Sequence, residues 1–185
     1  MEAVITLPRA GLTRDDLAAL VPEEPDDGHR YELIDGTLIV TPAPGFRHQV
    51  VSLRLIVSLD HACPAGLQVL AAPFAVGLSI DTEVQPDLLV APRDAFTDKD
   101  LSGAPLLAVE ILSPSTRLID LNLKKARYEQ AGCPSYWVID PVALRLTAWE
   151  LRDGAYAEVA DLGPGDSWTA RLPFEVTLRP GDLAD

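Results

Sequence analysis

The sequence has few cysteines, few lysines and no long apolar run, and each shortage excludes a class of protein. Cys63 and Cys133 lack both the CxxC spacing of a zinc site and the density of a disulfide scaffold, so we expect packed thiols. No stretch approaches the roughly 18 to 20 unbroken apolar residues that span a bilayer. The first residues also lack the basic and then apolar pattern of a signal peptide. The sequence therefore predicts a cytoplasmic protein with no membrane association.

Positive charge is also scarce, because lysine occurs only at positions 99, 124 and 125 and the net charge is −13. This balance counts against a nucleic-acid partner, since non-specific affinity for DNA comes from lysines and arginines that displace counterions from phosphates. Arginine supplies the remaining positive charge and can form a local basic groove on an acidic body. The overall sign of the charge therefore leaves DNA open as a partner.

The N-terminal part of the chain predicts a helix and a hairpin. The length of 185 residues and the 48% hydrophobic content suit one domain with a single core over residues 1–185. Residues 13–20 predict a short helix capped by Thr13, followed by a proline-rich acidic loop through Gly28. Residues 31–40 contain two β-rich runs joined by Asp35-Gly36, a dipeptide typical of a two-residue hairpin turn.

The remaining pattern predicts an α/β or α+β fold with a mixed central β-sheet flanked by helices. A helix over 46–61 is apolar around most of its circumference, which suits packing on a sheet over a broad face. The continuous apolar run 106–112 predicts a central strand covered on both faces, and Asp120 is a candidate N-cap for a helix over 121–131 that Gly132 closes. Further strands are predicted over 67–71, 74–80, 84–90, 136–139, 144–151 and 155–160.

Glu110 is the most informative single position, because it interrupts this buried run with a carboxylate. An ionised carboxylate inside a buried strand loses its hydration and is tolerated only when it is paired or bound to a cation. Two alternatives stay open: strand alternation turns Glu110 to an exposed face, or Glu110 makes a buried ion pair with an arginine. The run nevertheless indicates a site.

Asp87 is the second candidate, because it follows Pro86 and directly precedes the apolar run Leu88-Leu89-Val90. Taken alone, an aspartate after proline is commonly a turn or cap residue. Its value comes from partnership with Glu110, since two carboxylates from neighbouring strands can supply oxygen ligands to Mg²⁺, which keeps several waters. Phosphodiester-hydrolysing sites are commonly assembled in this way.

Lys124 is distinguished from Lys125 by helical geometry, since residues three and four apart share a face. Lys124 shares its face with Leu121 and Tyr128, whereas Lys125 lies on the side of Asn122. Lys124 therefore points inward, from a first helical turn whose dipole disfavours a cation. Such a violation of a local rule is typical of functional sites, and a lysine near a scissile phosphate can orient water and offset developing charge. The alternative is a lysine stem along the core edge with its ammonium in solvent.

The candidates occur in a longer ordered pattern. The segments in chain order are Pro86-Asp87, then Glu110-Ile111-Leu112 and Ser113-Pro114-Ser115, then Asp120, Lys124 and Tyr128, then Tyr136-Trp137-Val138-Ile139-Asp140-Pro141. This pattern resembles the Uma-type restriction endonucleases of the PD-(D/E)XK nuclease superfamily, from Tyr31 through Pro141. The resemblance implies the restriction-endonuclease-like fold, Asp87 and Glu110 as metal ligands, and Lys124 as the catalytic lysine. One departure from the superfamily pattern is Leu112, two positions after Glu110, so the lysine must come from the following helix.

Two more positions match the family pattern, Glu32 and His48. Glu32 shares a hairpin face with Ile34 and Ile39 and is directed either toward the site or to solvent. His48, near the start of the long helix, is either a contact to phosphate or water or a structural histidine. Together the residues predict a Mg²⁺- or Mn²⁺-dependent endonuclease acting on DNA. A catalytically inactive binding or regulatory module and a hydrolase of RNA or small phosphoesters are the alternatives, and a homodimer would explain cleavage of both duplex strands.

Overall fold

A computed structural model describes residues 5–7, 11–21 and 28–184, with side chains from residue 11 onward. The proline-rich acidic loop predicted after the first helix falls largely on residues 22–27, outside the described residues. The helices are α1 (Arg14–Leu20), α2 (Phe46–Ala62) and α3 (Lys125–Gln130), and a π-helix (Ile119–Lys124) runs directly into α3. Short 3-10 turns lie at Arg93–Ala95 and Pro180–Leu183. No helix in these described ranges is long and apolar enough to span a bilayer.

The strands form two large sheets and a small hairpin. They are β1 (Ile5–Leu7), β2 (His29–Ile34), β3 (Thr37–Pro42), β4 (Leu67–Ala71), β5 (Ala75–Ser79), β6 (Thr82–Val84), β7 (Leu88–Pro92), β8 (Asp100–Ser102), β9 (Leu107–Ile111), β10 (Ser135–Asp140), β11 (Arg145–Arg152), β12 (Ala155–Leu162), β13 (Trp168–Ala170) and β14 (Val176–Leu178). The central sheet has the order β12-β11-β10-β9-β7-β4, the hairpin sheet has the order β1-β3-β2-β6-β5-β8, and β13 pairs with β14. The central sheet is mixed, because β9 and β10 are parallel while β7 and β9 are antiparallel. The predicted mixed sheet flanked by helices is confirmed, and the hairpin sheet adds to it.

Both faces of the central sheet are buried. Along β7, Leu88 and Val90 belong to one core cluster with buried residues of α2 and of the β13–β14 hairpin, whereas Leu89 and Ala91 belong to a second cluster with residues of the hairpin sheet and α3. The side-chain period of two in a strand produces this division. The predicted central strand is confirmed as β9, all of whose residues are buried.

The hairpin predicted over residues 31–40 is confirmed. Ile34 pairs with Thr37 at its end, and Asp35 and Gly36 take φ angles of 52° and 70°. Positive φ at both central residues is the conformation that Asp-Gly favours in two-residue hairpin turns. A Cβ at position 36 would also lie 2.9 Å from the Gly11 nitrogen, so the turn packs closely against the segment before α1. Thr13 is confirmed as the cap of α1, accepting a hydrogen bond from the Asp16 N–H.

The long helix α2 is confirmed, but the broad buried face expected for it is wrong. Its buried residues are Val51, Leu55 and Leu59, which fall on one side, whereas Phe46 and Leu53 are 82% and 60% exposed. A helix lying on a sheet contacts it along one side only, so its opposite apolar side remains in solvent. The helix still fixes the position of His48, one turn before Val51 on the buried side.

The strand predicted over 84–90 is wrong as a single element. The chain leaves the hairpin sheet after Val84, passes through residues 85–87, and enters the central sheet at Leu88. Pro86 has no N–H with which to continue a ladder, which ends the first strand. Asp87 therefore lies at the crossing from one sheet to the other.

Asp120 is not the N-cap that the sequence predicted. Helical hydrogen bonding begins earlier, where the Arg117 N–H donates to the Ser113 carbonyl, and the Asp120 N–H donates to the Thr116 carbonyl at 2.9 Å. Asp120 thus lies inside the π-helix with its side chain buried. The predicted end of the helix is closer to the structure, because Gly132 follows the last turn of α3 and has a φ of 82°.

Candidate active site

A cavity of about 480 Å³ opens between the two sheets, where the π-helix passes the ends of β7 and β9. Its lining includes all five residues proposed from the sequence, which are Glu32, His48, Asp87, Glu110 and Lys124. The end of β3 with the loop after it, over residues 41–45, and the loop over 113–116 form its other walls. Residues that are up to about 90 positions apart in the sequence therefore meet in one cavity.

Strand register places Asp87 and Glu110 opposite each other. Leu88 pairs with Val109 in the antiparallel β7–β9 ladder, so one step further along the ladder Asp87 faces Glu110. The Asp87 Oδ2 accepts a hydrogen bond from the Ile111 N–H at 2.8 Å, which fixes the carboxylate against β9. Asp87 is 4% exposed and Glu110 is 2% exposed. The exposed alternative for Glu110 is thereby excluded.

Lys124 points inward, as its helical face predicted, and is 4% exposed. Its Nζ lies 2.7 Å from Glu32 Oε1, 3.2 Å from Glu110 Oε1 and 3.7 Å from Asp120 Oδ1. Lys125 lies outside this cluster, with its Nζ 4.2 Å from the centre of the Trp149 ring. The ammonium of Lys124 is therefore held among three carboxylates rather than in solvent.

Glu32 and His48 also face the cavity. Glu32 is 3% exposed, and its Oε1 accepts a hydrogen bond from the Gln85 N–H at 2.7 Å in addition to the contact with Lys124. His48 Nε2 lies 3.0 Å from Asp87 Oδ2, whereas its Nδ1 is buried without a hydrogen-bond partner. The solvent-directed alternative for Glu32 is excluded, and His48 contacts a proposed metal ligand.

Two residues of the site were not proposed as functional from the sequence, Arg30 and Asp120, although Asp120 belongs to the family pattern. Arg30 Nη1 donates to Asp87 Oδ1 at 2.7 Å. Its signal was strand alternation, because Arg30 lies two residues before Glu32 and therefore shares its face. Asp120 lies four residues before Lys124, on the same helical face, and this spacing was the signal in the sequence.

The pKa values of Asp87 and Lys124 are both shifted by their neighbours in the cavity. At Asp87, burial favours the neutral acid, but the hydrogen bond and charge of His48 and then the charge of Arg30 outweigh it and lower the pKa to about 2. At Lys124, burial favours the neutral amine, but Glu110, Glu32 and Asp120 outweigh it and raise its pKa above the ordinary value. Asp87 is therefore ionised and Lys124 protonated at neutral pH.

The pKa values of Glu110 and Asp120 are shifted in the opposite direction to that of Asp87. Burial raises the pKa of Glu110 well above its ordinary value against the opposing charge of Lys124. Burial likewise raises the pKa of Asp120 to about 6. The neighbouring acids add to the effect of burial, since four buried carboxylates share the cavity with the cations Lys124 and Arg30. One Asp120 oxygen, Oδ1, has no hydrogen-bond partner.

Comparison with known proteins identifies the fold and the family of the chain. A crystal structure of "a putative nuclease belonging to DUF820" from Anabaena variabilis superposes with a TM-score of 0.72 at 17% identity, covering 93% of this chain and 97% of that one. At this identity the likeness shows the fold. The search of curated proteins gives no match. The model of the Uma2 family, described as "Putative restriction endonuclease", matches residues 15–181, and the chain therefore belongs to that family.

Proposed function

We propose that this protein is a metal-dependent endonuclease that hydrolyses phosphodiester bonds in DNA. The observation that carries the proposal is the position of Lys124, whose ammonium is buried beside Glu110 in the cavity that also holds Asp87. A buried lysine among buried acids has a high desolvation cost, and such departures from ordinary packing are concentrated at functional sites. The family description and the nuclease fold support the same chemistry.

The donor set fits a divalent cation with hard oxygen ligands. Two buried carboxylates, Asp87 and Glu110, would hold Mg²⁺ or Mn²⁺, and the excess of negative charge in the cavity matches the charge that such an ion brings. Within residues 11–21 and 28–184, no three acidic, histidine or cysteine side chains are arranged to hold an ion. A site with two protein ligands accords with this finding, because Mg²⁺ usually keeps several waters.

Each residue near the proposed ion has a definable task. A bound ion would polarise the phosphate and lower the pKa of a water molecule. Lys124, which contacts Glu32 and Asp120, would orient that water and offset the negative charge that develops on the phosphate. The backbone N–H of Ile111 and the ring of His48 keep the Asp87 carboxylate turned toward β9.

DNA is the proposed substrate because of the family and because Arg30 brings a guanidinium into the cavity wall. Guanidinium groups bind phosphate oxygens through paired hydrogen bonds. Two copies of the chain, one on each strand, would account for cleavage of a duplex.

The experiment that tests the function is cleavage of supercoiled, linear and single-stranded DNA with Mg²⁺ or Mn²⁺, compared with reactions in EDTA. We expect cleavage by the wild type and by E158Q, which removes an exposed glutamate on β12. E110Q should reduce cleavage to the level in EDTA. Intact DNA under conditions in which calorimetry shows bound metal would contradict the proposal.

A binding or regulatory module without catalysis is the second candidate, and one observation favours it. Both oxygens of Asp87 already have partners, Arg30 on Oδ1 and His48 with the Ile111 N–H on Oδ2. A carboxylate that is fully paired can serve a structural purpose alone. Unchanged Mn²⁺ affinity in E110A would support this module and would count against hydrolysis.

A further inference from the structure

Asp87 has a partner on each oxygen although it is one of the two proposed cation ligands. Arg30 Nη1 lies 2.7 Å from Oδ1 in an ion pair, and the Arg30 side chain is 20% exposed. His48 Nε2 and the Ile111 N–H share Oδ2, at 3.0 and 2.8 Å. A divalent cation that binds Oδ1 would therefore compete with the Arg30 guanidinium for that oxygen.

The displaced guanidinium would stay at the cavity. The Arg30 backbone is held in β2, where Arg30 pairs with Thr41 of β3, and both residues line the cavity wall. A guanidinium is always charged and matches the oxygens of a phosphate as well as those of a carboxylate. In the free protein Asp87 provides those oxygens, so Arg30 is held in place without a substrate.

We propose that Arg30 is the phosphate-binding residue of this cavity and that it remains paired with Asp87 until a divalent cation binds the Asp87 carboxylate. The inference rests on the proposed function, because it assumes that Asp87 holds the cation. Binding of the cation then releases Arg30 for an oxygen of the phosphodiester. By reciprocity of binding free energies, the cation and the DNA each increase the affinity for the other.

The proposal predicts opposite effects from one substitution. In R30M the cation no longer competes with a guanidinium, so Mn²⁺ should bind more tightly, by roughly 3- to 10-fold, the scale of the net contribution of one hydrogen bond. DNA loses a phosphate contact and should bind roughly tenfold more weakly. A variant that merely damages the fold would lose affinity for both ligands.

The experiment has two parts. Calorimetry measures Mn²⁺ binding to the wild type, R30M, D87N and R145M, the last removing an exposed arginine that pairs with Asp161. Fluorescence anisotropy measures binding of a labelled single-stranded oligonucleotide in Ca²⁺, an ion with oxygen ligands in flexible geometry. We expect R145M to bind Mn²⁺ like the wild type and R30M to shift the two affinities in opposite directions.

The outcomes separate this inference from the proposed function. Should R30M bind Mn²⁺ no better than the wild type while D87N loses Mn²⁺ binding, the role of Arg30 is overturned and the cation site stands. Should D87N bind Mn²⁺ like the wild type, the cation site of the proposed function is itself wrong. If R30M does not fold, R30K takes its place, and we expect it to bind Mn²⁺ more tightly and DNA more weakly than the wild type, by smaller factors. Loss of both affinities in R30K overturns the proposal.

Discussion

Lys124 is the side chain on which the proposed chemistry depends most directly. The rule that distinguished it from Lys125 was helical periodicity, which requires only the sequence. The π-helix did not disturb that rule, because Lys124 and Tyr128 are both buried while Lys125 packs over Trp149. The two neighbouring lysines therefore provide a matched pair of variants.

K124M is expected to lower the rate of DNA cleavage by about 10²- to 10³-fold, the usual cost of removing one group that stabilises developing charge. K125M removes the same charge from the next position and should cleave like the wild type. The measurement is the initial rate of plasmid nicking at saturating Mg²⁺. Equal rates for the two variants would show that Lys124 takes no part in the reaction.

Arg30 could not be assigned to the site from the sequence as readily as Lys124. Its face of β2 follows from alternation, but its partner depends on where Asp87 lies, and that requires the crossing between two sheets. The role of Asp120 was equally hard to predict from the sequence. Aspartate at the start of a helix is a common cap, and only the tertiary contact with Lys124 shows that its side chain belongs to the site.

At the scale of elements, local chemistry predicted most of what the structure contains. Asp35-Gly36 determined the hairpin and the apolar run around Glu110 determined the central strand, since each depends on neighbours in sequence. The hairpin sheet was not foreseen as a separate layer, because it depends on pairing between strands far apart in the chain, such as β2 with β6. Pro86 was the available signal for the break between β6 and β7.

One contact joins α1 to the hairpin sheet and supports a prediction at this scale. Arg14 makes ion pairs with Glu83 of β6 and Asp100 of β8, at 2.8 and 2.7 Å. Its guanidinium crosses directly over Gly77 of β5, where a Cβ would lie 2.3 Å from the Arg14 Cζ. A side chain at position 77 therefore displaces the Arg14 guanidinium and weakens both pairs.

G77A should lower the free energy of unfolding by about 1 to 2 kcal/mol, as measured by urea denaturation. G165A, at a glycine with open space around the added methyl, should change it by less than about 0.5 kcal/mol. In an R14A background the cost of G77A should largely disappear, because the displaced group is absent. An unchanged cost in that background would mean that Arg14 is not the cause.

At the scale of the whole molecule, stability depends on pH through the buried acids. Asp120 has a pKa of about 6 in the folded protein against 3.8 ordinarily, so the folded state binds more protons between those values and stability falls as pH rises through them. Asp87 acts oppositely, because its pKa is lowered to about 2, and its contribution is lost as pH falls from 3.8 through that value.

D120N should therefore be more stable than the wild type at pH 8 without metal, by on the order of 1 to 3 kcal/mol. The difference should shrink as the pH approaches 5, where the wild-type carboxyl becomes neutral. D94N, which removes an exposed carboxylate from the Arg93–Ala95 turn, controls for the change in net charge. Urea denaturation at several pH values measures the difference, and a gap that does not vary with pH would refute the explanation.

The acidic balance of the whole molecule is consistent with a site that depends on a cation. A net charge of −13 repels DNA, and four buried acidic side chains line the cavity. A divalent ion between Asp87 and Glu110 would remove the local excess and leave Lys124 and Arg30 to face the phosphate. Whether such an ion binds there is thus the central question for this protein.

Anomalous diffraction from a crystal soaked in Mn²⁺ tests that question most directly. The account predicts an anomalous peak within bonding distance of one carboxylate oxygen of Asp87 and one of Glu110, with the Arg30 guanidinium moved off Asp87. A soaked crystal with no peak between those carboxylates, and with Arg30 still paired to Asp87, would contradict it.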